Sequence, residues 1–244
     1  MTTTTGNNGR LGNQIIRNLA VSLIAEKSGL KVDYSSESVI KQLGIYLFSG
    51  EKVYNTTKTL NDDNYFEVYN AATIHYNLNP NQAYFQTKEI TNMLYRYLRK
   101  PEIQDEIVMA NPFRPRYKAN RDVFVHVRLT DAARFNPGAD YYLRAIGAIS
   151  ALENLYISTD DANHRIIQTI VSKYPNAKIV KLDEIKTFKF ASTCAHIVLS
   201  HGSFSAVIGY LAYYSDVYYP EYESDKMWYG DMFSIDGWRK IKST

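Results

Sequence analysis

The stretch VFVHVRLTD (123–131) places a histidine, an arginine and an aspartate at the end of an alternating valine run. Val123, Val125, Val127 and Leu129 suit one face of a buried strand, which turns His126 and Arg128 to the other. A buried arginine needs an anion, because an unpaired buried charge is very costly. Two partners are open: Asp131, in an internal salt bridge, or a diphosphate, which the planar guanidinium fork grips well. A second cluster, SHGSFS (200–205), follows the apolar run AHIVL. Free N–H groups at a helix start, with hydroxyls beside them, make an anion site. Capping by Ser203 accounts for one hydroxyl but not the whole cluster. A third, STDD (158–161), offers Asp160 and Asp161 as caps of the next helix or as site carboxylates. Near the start, GNNGRLGNQ (6–14) sets Gly6, Gly9 and Gly12 at every third position, ahead of Asn13 and Gln14. That loop reads as a phosphate cradle or as a tight turn.

Other chemistries have no residues to carry them. No GxxxxGK[ST] phosphate loop occurs, no HExxH, and no GxSxG nucleophile elbow. Five histidines and one cysteine, Cys194, show no metal-ligand spacing and allow no disulfide within the chain. No literal Asp-x-Asp is present to hold a metal under a diphosphate.

The elements that must position these clusters are legible in part. TTTT (2–5) predicts a short strand, residues 13–28 a helix closed by Gly29, and LKVDYS (30–35) a second strand. Segment 36–85 mixes short apolar runs with turns, and 86–100 has helical spacing. From 123 onward the spacing predicts strands at 123–129, 154–158, 177–182, 195–200 and 216–220. Helices at 141–152, 164–174 and 205–214 alternate with them. Such alternation implies a doubly wound parallel sheet, with ligands beyond the carboxyl ends of its strands. The proline-rich basic stretch 111–121 marks a boundary, giving domains 1–115 and 116–244.

The 244 residues are 45% apolar and 22% charged, ordinary for a soluble globular protein. A net charge of +3 is too mild to argue for nucleic acid. The N-terminus lacks the pattern of a signal peptide. The apolar stretch 195–214 is broken by Ser, His and Gly and does not read as a membrane span. These features predict a soluble, cytoplasmic protein. Tyrosine is abundant, at 21 residues.

Together, GRLGNQ (9–14), HVRLTD (126–131) and SHGSFS (200–205) resemble the fucosyltransferase superfamily. The likeness is greatest to the α-1,2-fucosyltransferases, and AYFQTKEI (83–90) and ISTDD (157–161) resemble blocks of that group. The resemblance implies an α/β chain of the GT-B type, two Rossmann-like domains facing across a cleft, the first on the acceptor side and the second binding a nucleotide sugar. It implies a metal-independent, inverting transferase moving a 6-deoxyhexose, L-fucose from GDP-fucose, to a glycan hydroxyl. Arg128 then binds the donor diphosphate and His126 lies near the nucleotide. Ser203 and Ser205, with Phe204 between them, bond the β-phosphate. Asp183, with Asp160 and Asp161 as competitors, reads the guanine edge. Asn13 faces the sugar or the acceptor, and Arg10 and Gly12 of the same loop join the donor contacts. Asp131 is the candidate base for the acceptor hydroxyl.

The sequence departs from the family where a second consecutive arginine is usual and Leu129 stands instead. This departure weakens diphosphate binding or moves the second cation to Arg10, Arg17 or Arg134, and a rhamnosyltransferase using UDP- or GDP-rhamnose is the alternative. Two readings of other classes remain. Asp33, about 20 residues past Gly12, stands where a Rossmann-type NAD(P)-binding oxidoreductase holds its ribose. A catalytically inactive carbohydrate-binding protein would tolerate Leu129.

Overall fold

The computed structural model describes residues 2–131, 133–222 and 230–242. Its chain divides into two compact units, 1–110 and 111–244.

The first unit opens with a strand, a long helix and a parallel second strand: β1 (Thr3–Thr4), α1 (Leu11–Ser28) and β2 (Val32–Asp33). Ile15, Ile16, Leu19, Ala20, Leu23 and Ile24 bury α1. Gly29 ends it at φ 71, a left-handed conformation that glycine adopts without strain, and its N–H closes on Ala25 O at 2.7 Å. Next come α2 (Glu37–Lys41), β3 (Thr57–Thr59), α3 (Tyr65–Asn70) and β4 (Asn77–Asn79). β3 pairs with β4 in parallel, and the Leu78 N–H of β4 reaches Thr3 Oγ1 of β1 at 2.9 Å. The predicted helix at 86–100 forms as α4 (Lys88–Leu98), capped by Thr87 and buried along Ile90, Leu94 and Leu98. Pro101 starts α5 (Pro101–Met109) at the position where its missing N–H costs nothing.

The second unit is built on β5 (Val123–Val127), α6 (Ala139–Gly147), β6 (Leu155–Thr159), α7 (Arg165–Lys173) and β7 (Lys178–Ile179). It continues through α8 (Glu184–Ala191), β8 (His196–Val198), α9 (Gly202–Tyr210), β9 (Asp216–Pro220) and β10 (Arg239–Ile241). Among the described residues the six strands form one parallel sheet in the order β7-β6-β5-β8-β9-β10. Numbered by chain position this is 3-2-1-4-5-6, the doubly wound dinucleotide-binding order. Every residue of β5 is buried, as a central strand covered on both faces requires. On one face its valines join Tyr141, Tyr142 and Ile146 of α6, Ile167 and Ile170 of α7, and Val198 in a single core.

Two elements differ from the sequence reading. The series does not end at Pro220, because β10 adds a strand beside β9. Residues 184–191 form α8, whose apolar positions, Ile185, Phe188, Phe190 and Ala191, alternate with Lys186 and Lys189 over only eight residues and show no clear helical period.

Candidate functional site

The strand order reverses between β5 and β8. The chain leaves β5 toward β6 on one side, whereas β8 pairs on the other. Ligands of doubly wound sheets bind at that reversal, beyond the carboxyl ends of the strands. Arg128 follows β5 directly, and Ser200, His201 and the start of α9 follow β8. The sheet thus brings HVRLTD and SHGSFS to adjacent strand ends.

α9 begins at Gly202 with no side-chain cap on its N-terminus. Gly202 has φ +84, and a Cβ there would meet nothing within 4 Å, so its left-handed backbone and not crowding calls for glycine. The first-turn N–H groups of a helix lack intrahelical partners and carry the positive end of its dipole. Ser203 is nearly buried in that turn. Phe204 stacks on Phe188 at 4.2 Å between ring centres and tilts against His126 at 5.2 Å.

Ser205 faces inward. Its hydroxyl accepts the Ser200 N–H at 3.0 Å and shares a hydrogen bond with His126 Nδ1 at 2.6 Å. Burial first, then the Arg128 and His201 charges, push the imidazole down to about 3, against a smaller opposing pull from Asp160. His126 is therefore neutral at physiological pH, not a cation.

Arg128 has a split environment. Its Nη2 meets both carboxylate oxygens of Asp131, at 2.8 and 2.9 Å. The Arg128 side chain is 15% exposed and that of Asp131 46%. Its Nε is buried with no hydrogen-bond partner. An unused donor on a mostly buried guanidinium is a place for an anion to complete the set. Both readings of Arg128 thus have support: the Asp131 pair forms, and it leaves part of the fork unspent.

Asp160, at the end of β6, accepts from Leu129 N at 2.7 Å, Thr130 N at 3.2 Å and Thr130 Oγ1 at 2.6 Å. Burial pushes its carboxyl up, and these hydrogen bonds outweigh it, so the net shift is downward. Its carboxylate pins the turn after Arg128 and is committed there, not to a base edge. Asp161 accepts the Asn163 N–H at 3.0 Å in the turn leading to α7. Asp183 is the N-cap of α8, with one oxygen on Lys186 N at 2.7 Å and the other on Lys186 Nζ at 3.1 Å. It follows the edge strand β7, away from the reversal. The guanine-reading role expected of Asp183 therefore falls to a residue that caps an unforeseen helix. Arg134 lies exposed in a short 3-10 turn with its guanidinium 4.6 Å from the Phe135 ring centre.

In the first unit the glycine loop is held from below. Arg17 is fully buried, and its guanidinium donates to the carbonyls of Ala83 (2.7 Å), Thr5 (2.8 Å), Pro80 (3.0 Å), Gly6 and Asn8 (both 3.4 Å). Burial lowers its pKa, and it is spent on the fold rather than available as a second diphosphate cation. Gly9 has φ +82, and a Cβ there would lie 2.3 Å from Asn13 Nδ2, so the loop closes directly onto that side chain. Asn13 Oδ1 in turn accepts from Gln86 Nε2 at 2.8 Å. Arg10 is the exposed N-cap of α1, and Gly12 is buried in its first turn. Asp33 Oδ2 accepts the Thr2 hydroxyl at 2.7 Å. Gln86, in the AYFQTKEI block, had no role in the sequence reading. Its neighbour Phe85, at φ 55, gives the structural sign of a constrained site.

Among the described residues, no group of three or more His, Cys, Asp or Glu side chains is placed to hold a metal. No described helix is long and apolar enough to cross a membrane.

No protein-family model matches the sequence. No curated protein matches it either. Solved structures do. One is NodZ α-1,6-fucosyltransferase co-crystallized with GDP, at 11% identity and a TM-score of 0.51, covering 88% of this chain and 91% of that one. Another is selenomethionine fucosyltransferase NodZ from Bradyrhizobium, at 10% identity and a TM-score of 0.50, with the same coverage. These neighbours are α-1,6 enzymes, and nothing among them marks the α-1,2 group. Parallel sheets, the Rossmann strand order of the second unit and these neighbours together give the chain a fucosyltransferase-like α/β fold of the GT-B type.

Proposed function

We propose that this chain is an inverting, metal-independent glycosyltransferase that moves a 6-deoxyhexose, L-fucose from GDP-fucose, to a glycan hydroxyl. The observation that carries the reading is Arg128. It stands at the strand-order reversal with an unpartnered buried Nε, beside the uncapped start of α9. The neighbour crystallized with GDP supports the choice of base.

In this account the donor diphosphate lies against Arg128 and the first-turn N–H groups of α9, with the Ser203 hydroxyl beside them. Negative charge grows on the β-phosphate as the sugar–phosphate bond breaks. A fixed guanidinium and helix N-terminus stabilise that charge more than they stabilise the ground state. Neutral His126 lies beside the nucleotide without adding charge. Asp131, displaced from Arg128 by the incoming diphosphate, is the base for the acceptor hydroxyl. Asn13 serves the sugar or the acceptor.

The test is release of GDP from GDP-fucose, with and without a glycan acceptor. Arg128→Ala lowers the rate by about 10²–10³-fold, and EDTA leaves the wild-type rate unchanged. Preference for UDP-linked or rhamnose donors would redirect the donor assignment, and a strict divalent-metal requirement would overturn the metal-free mechanism.

A further inference from the structure

We infer that Tyr142 and Asn136 are positioning residues that set the backbone of Arg128, and through it the guanidinium, for the diphosphate. This rests on the reading of Arg128 given above. Both polar backbone groups of Arg128 belong to one closed ring of hydrogen bonds. Its N–H donates to Ser200 Oγ at 3.3 Å. Its carbonyl accepts from Asn136 Nδ2 at 2.9 Å. The same Nδ2 donates to Tyr142 Oη at 3.0 Å. The Tyr142 hydroxyl closes the ring by donating to Ser200 Oγ at 2.9 Å. Ser200, with two bonds accepted, spends its own proton on His201 Nδ1 at 3.2 Å.

The ring joins four places in the fold: the end of β5, the turn before α6, α6 itself and the end of β8. Tyr142 and Ser200 are fully buried, so no water competes for their bonds. Burial first pushes the Tyr142 phenol well up, against its hydrogen bonds to Ser200 and Asn136, so it remains a donor throughout the working pH range. Asn136 also holds the Gly138 N–H through Oδ1 at 2.9 Å, which orients its amide and leaves Nδ2 for the ring. With Asp160 on Leu129 and Thr130, the backbone polar hydrogens of residues 128–130 are all accounted for. Loss of the Tyr142 hydroxyl frees Ser200 and Asn136 to turn away, and the Arg128 peptide loses its fixed plane.

The neighbouring Tyr141 supplies the control. Its hydroxyl is equally buried and bonds the carbonyls of Leu199 (2.7 Å) and Tyr218 (3.3 Å), touching neither Arg128 nor Asn136. The experiment measures GDP affinity by calorimetry for the wild type, Y142F, Y141F, R128A and the Y142F/R128A double variant, with melting temperatures alongside. Y142F weakens GDP binding about 3- to 30-fold, within the usual coupling of residues in one network. Y141F melts early to a similar extent but keeps affinity within about twofold. In the R128A background the added Y142F change has little further effect on affinity. An equal loss from Y142F with and without Arg128, or equal losses from Y142F and Y141F, overturns the positioning role. Unchanged GDP binding in R128A instead refutes the diphosphate site itself, and the inference falls with it. N136A repeats the test with a side chain outside the core, and it follows Y142F.

Discussion

Replacing Arg17 by methionine should be among the most damaging single changes in the first unit. Methionine matches the arginine stem but donates nothing. Of its three short bonds, those to Ala83 and Thr5 would leave buried carbonyls unpaired, whereas the Pro80 carbonyl keeps the Ala83 N–H at 3.1 Å. Each unpaired buried group costs about 1–3 kcal/mol, for a gross loss of about 2–6 kcal/mol from the two. Removing a buried charge returns part of that, and the net expectation is about 2–4 kcal/mol. Urea unfolding followed by circular dichroism reads this as a lower midpoint at unchanged slope. Arg17→Lys keeps the charge and three donors, so it retains part of the stability. Its folded form also binds GDP within about twofold of wild type, because the account gives Arg17 no diphosphate contact. A loss below about 1 kcal/mol in R17M would refute the carbonyl clasp, and a large loss of GDP affinity in folded R17K would return Arg17 to the active site.

Other perturbations separate the remaining roles. Asp131→Asn removes the carboxylate that competes for Arg128, so GDP binding tightens about 3- to 10-fold at low salt, while transfer slows if Asp131 is the base; isothermal titration and turnover must move in opposite directions. His126 has a folded-state pKa of about 3, below its ordinary value near 6.5, so the unfolded chain binds the proton first and stability falls as the pH drops through that window. His126→Asn should flatten the acid limb of the stability profile by about 1.4 kcal/mol per pH unit, and an unchanged limb would show that His126 protonates in the fold. Gly9→Ala combines a φ of +82 with a Cβ 2.3 Å from Asn13 Nδ2, so it destabilises by about 2 kcal/mol or more in chemical denaturation. Cys194 is buried, and burial pushes its thiol up to about 12, so thiol reagents should label it only at the rate of unfolding.

The second unit was legible where its strands, β5, β6, β8 and β9, are apolar runs bounded by polar turns, and not at the exposed edge strand β10 (Arg239–Ile241). Val123–Val127 and the AHIVL run read as strands of a parallel sheet, and the residues after them then lie at its ligand-binding edge. The first unit was less legible because its later strands are two- and three-residue pieces of Thr, Lys and Asn. β3 is exposed throughout, and β4 is held by the buried Asn77 and Leu78. No hydrophobic period survives in such segments. Arg17 was hidden for a related reason. Its partners are backbone carbonyls spread from Thr5 to Ala83, and no side-chain motif announces them. Asp160 and Asp183 share one lesson: a carboxylate after a strand satisfies backbone N–H groups first. Asn136 and Tyr142 lay between the quoted blocks, where only the fold brings them onto Arg128.

Amide NMR of the labelled chain titrated with GDP tests the central claim most directly. The account predicts the largest shifts at the amides of Gly202, Ser203 and Phe204 and at the Arg128 Nε–H. Asp160-bound Leu129 and Thr130 should move with them, and a nucleoside lacking phosphates should leave these signals in place. Shifts confined to the loop 6–14, with residues 128–130 and 202–204 unmoved, would contradict the account and return the phosphates to the glycine loop.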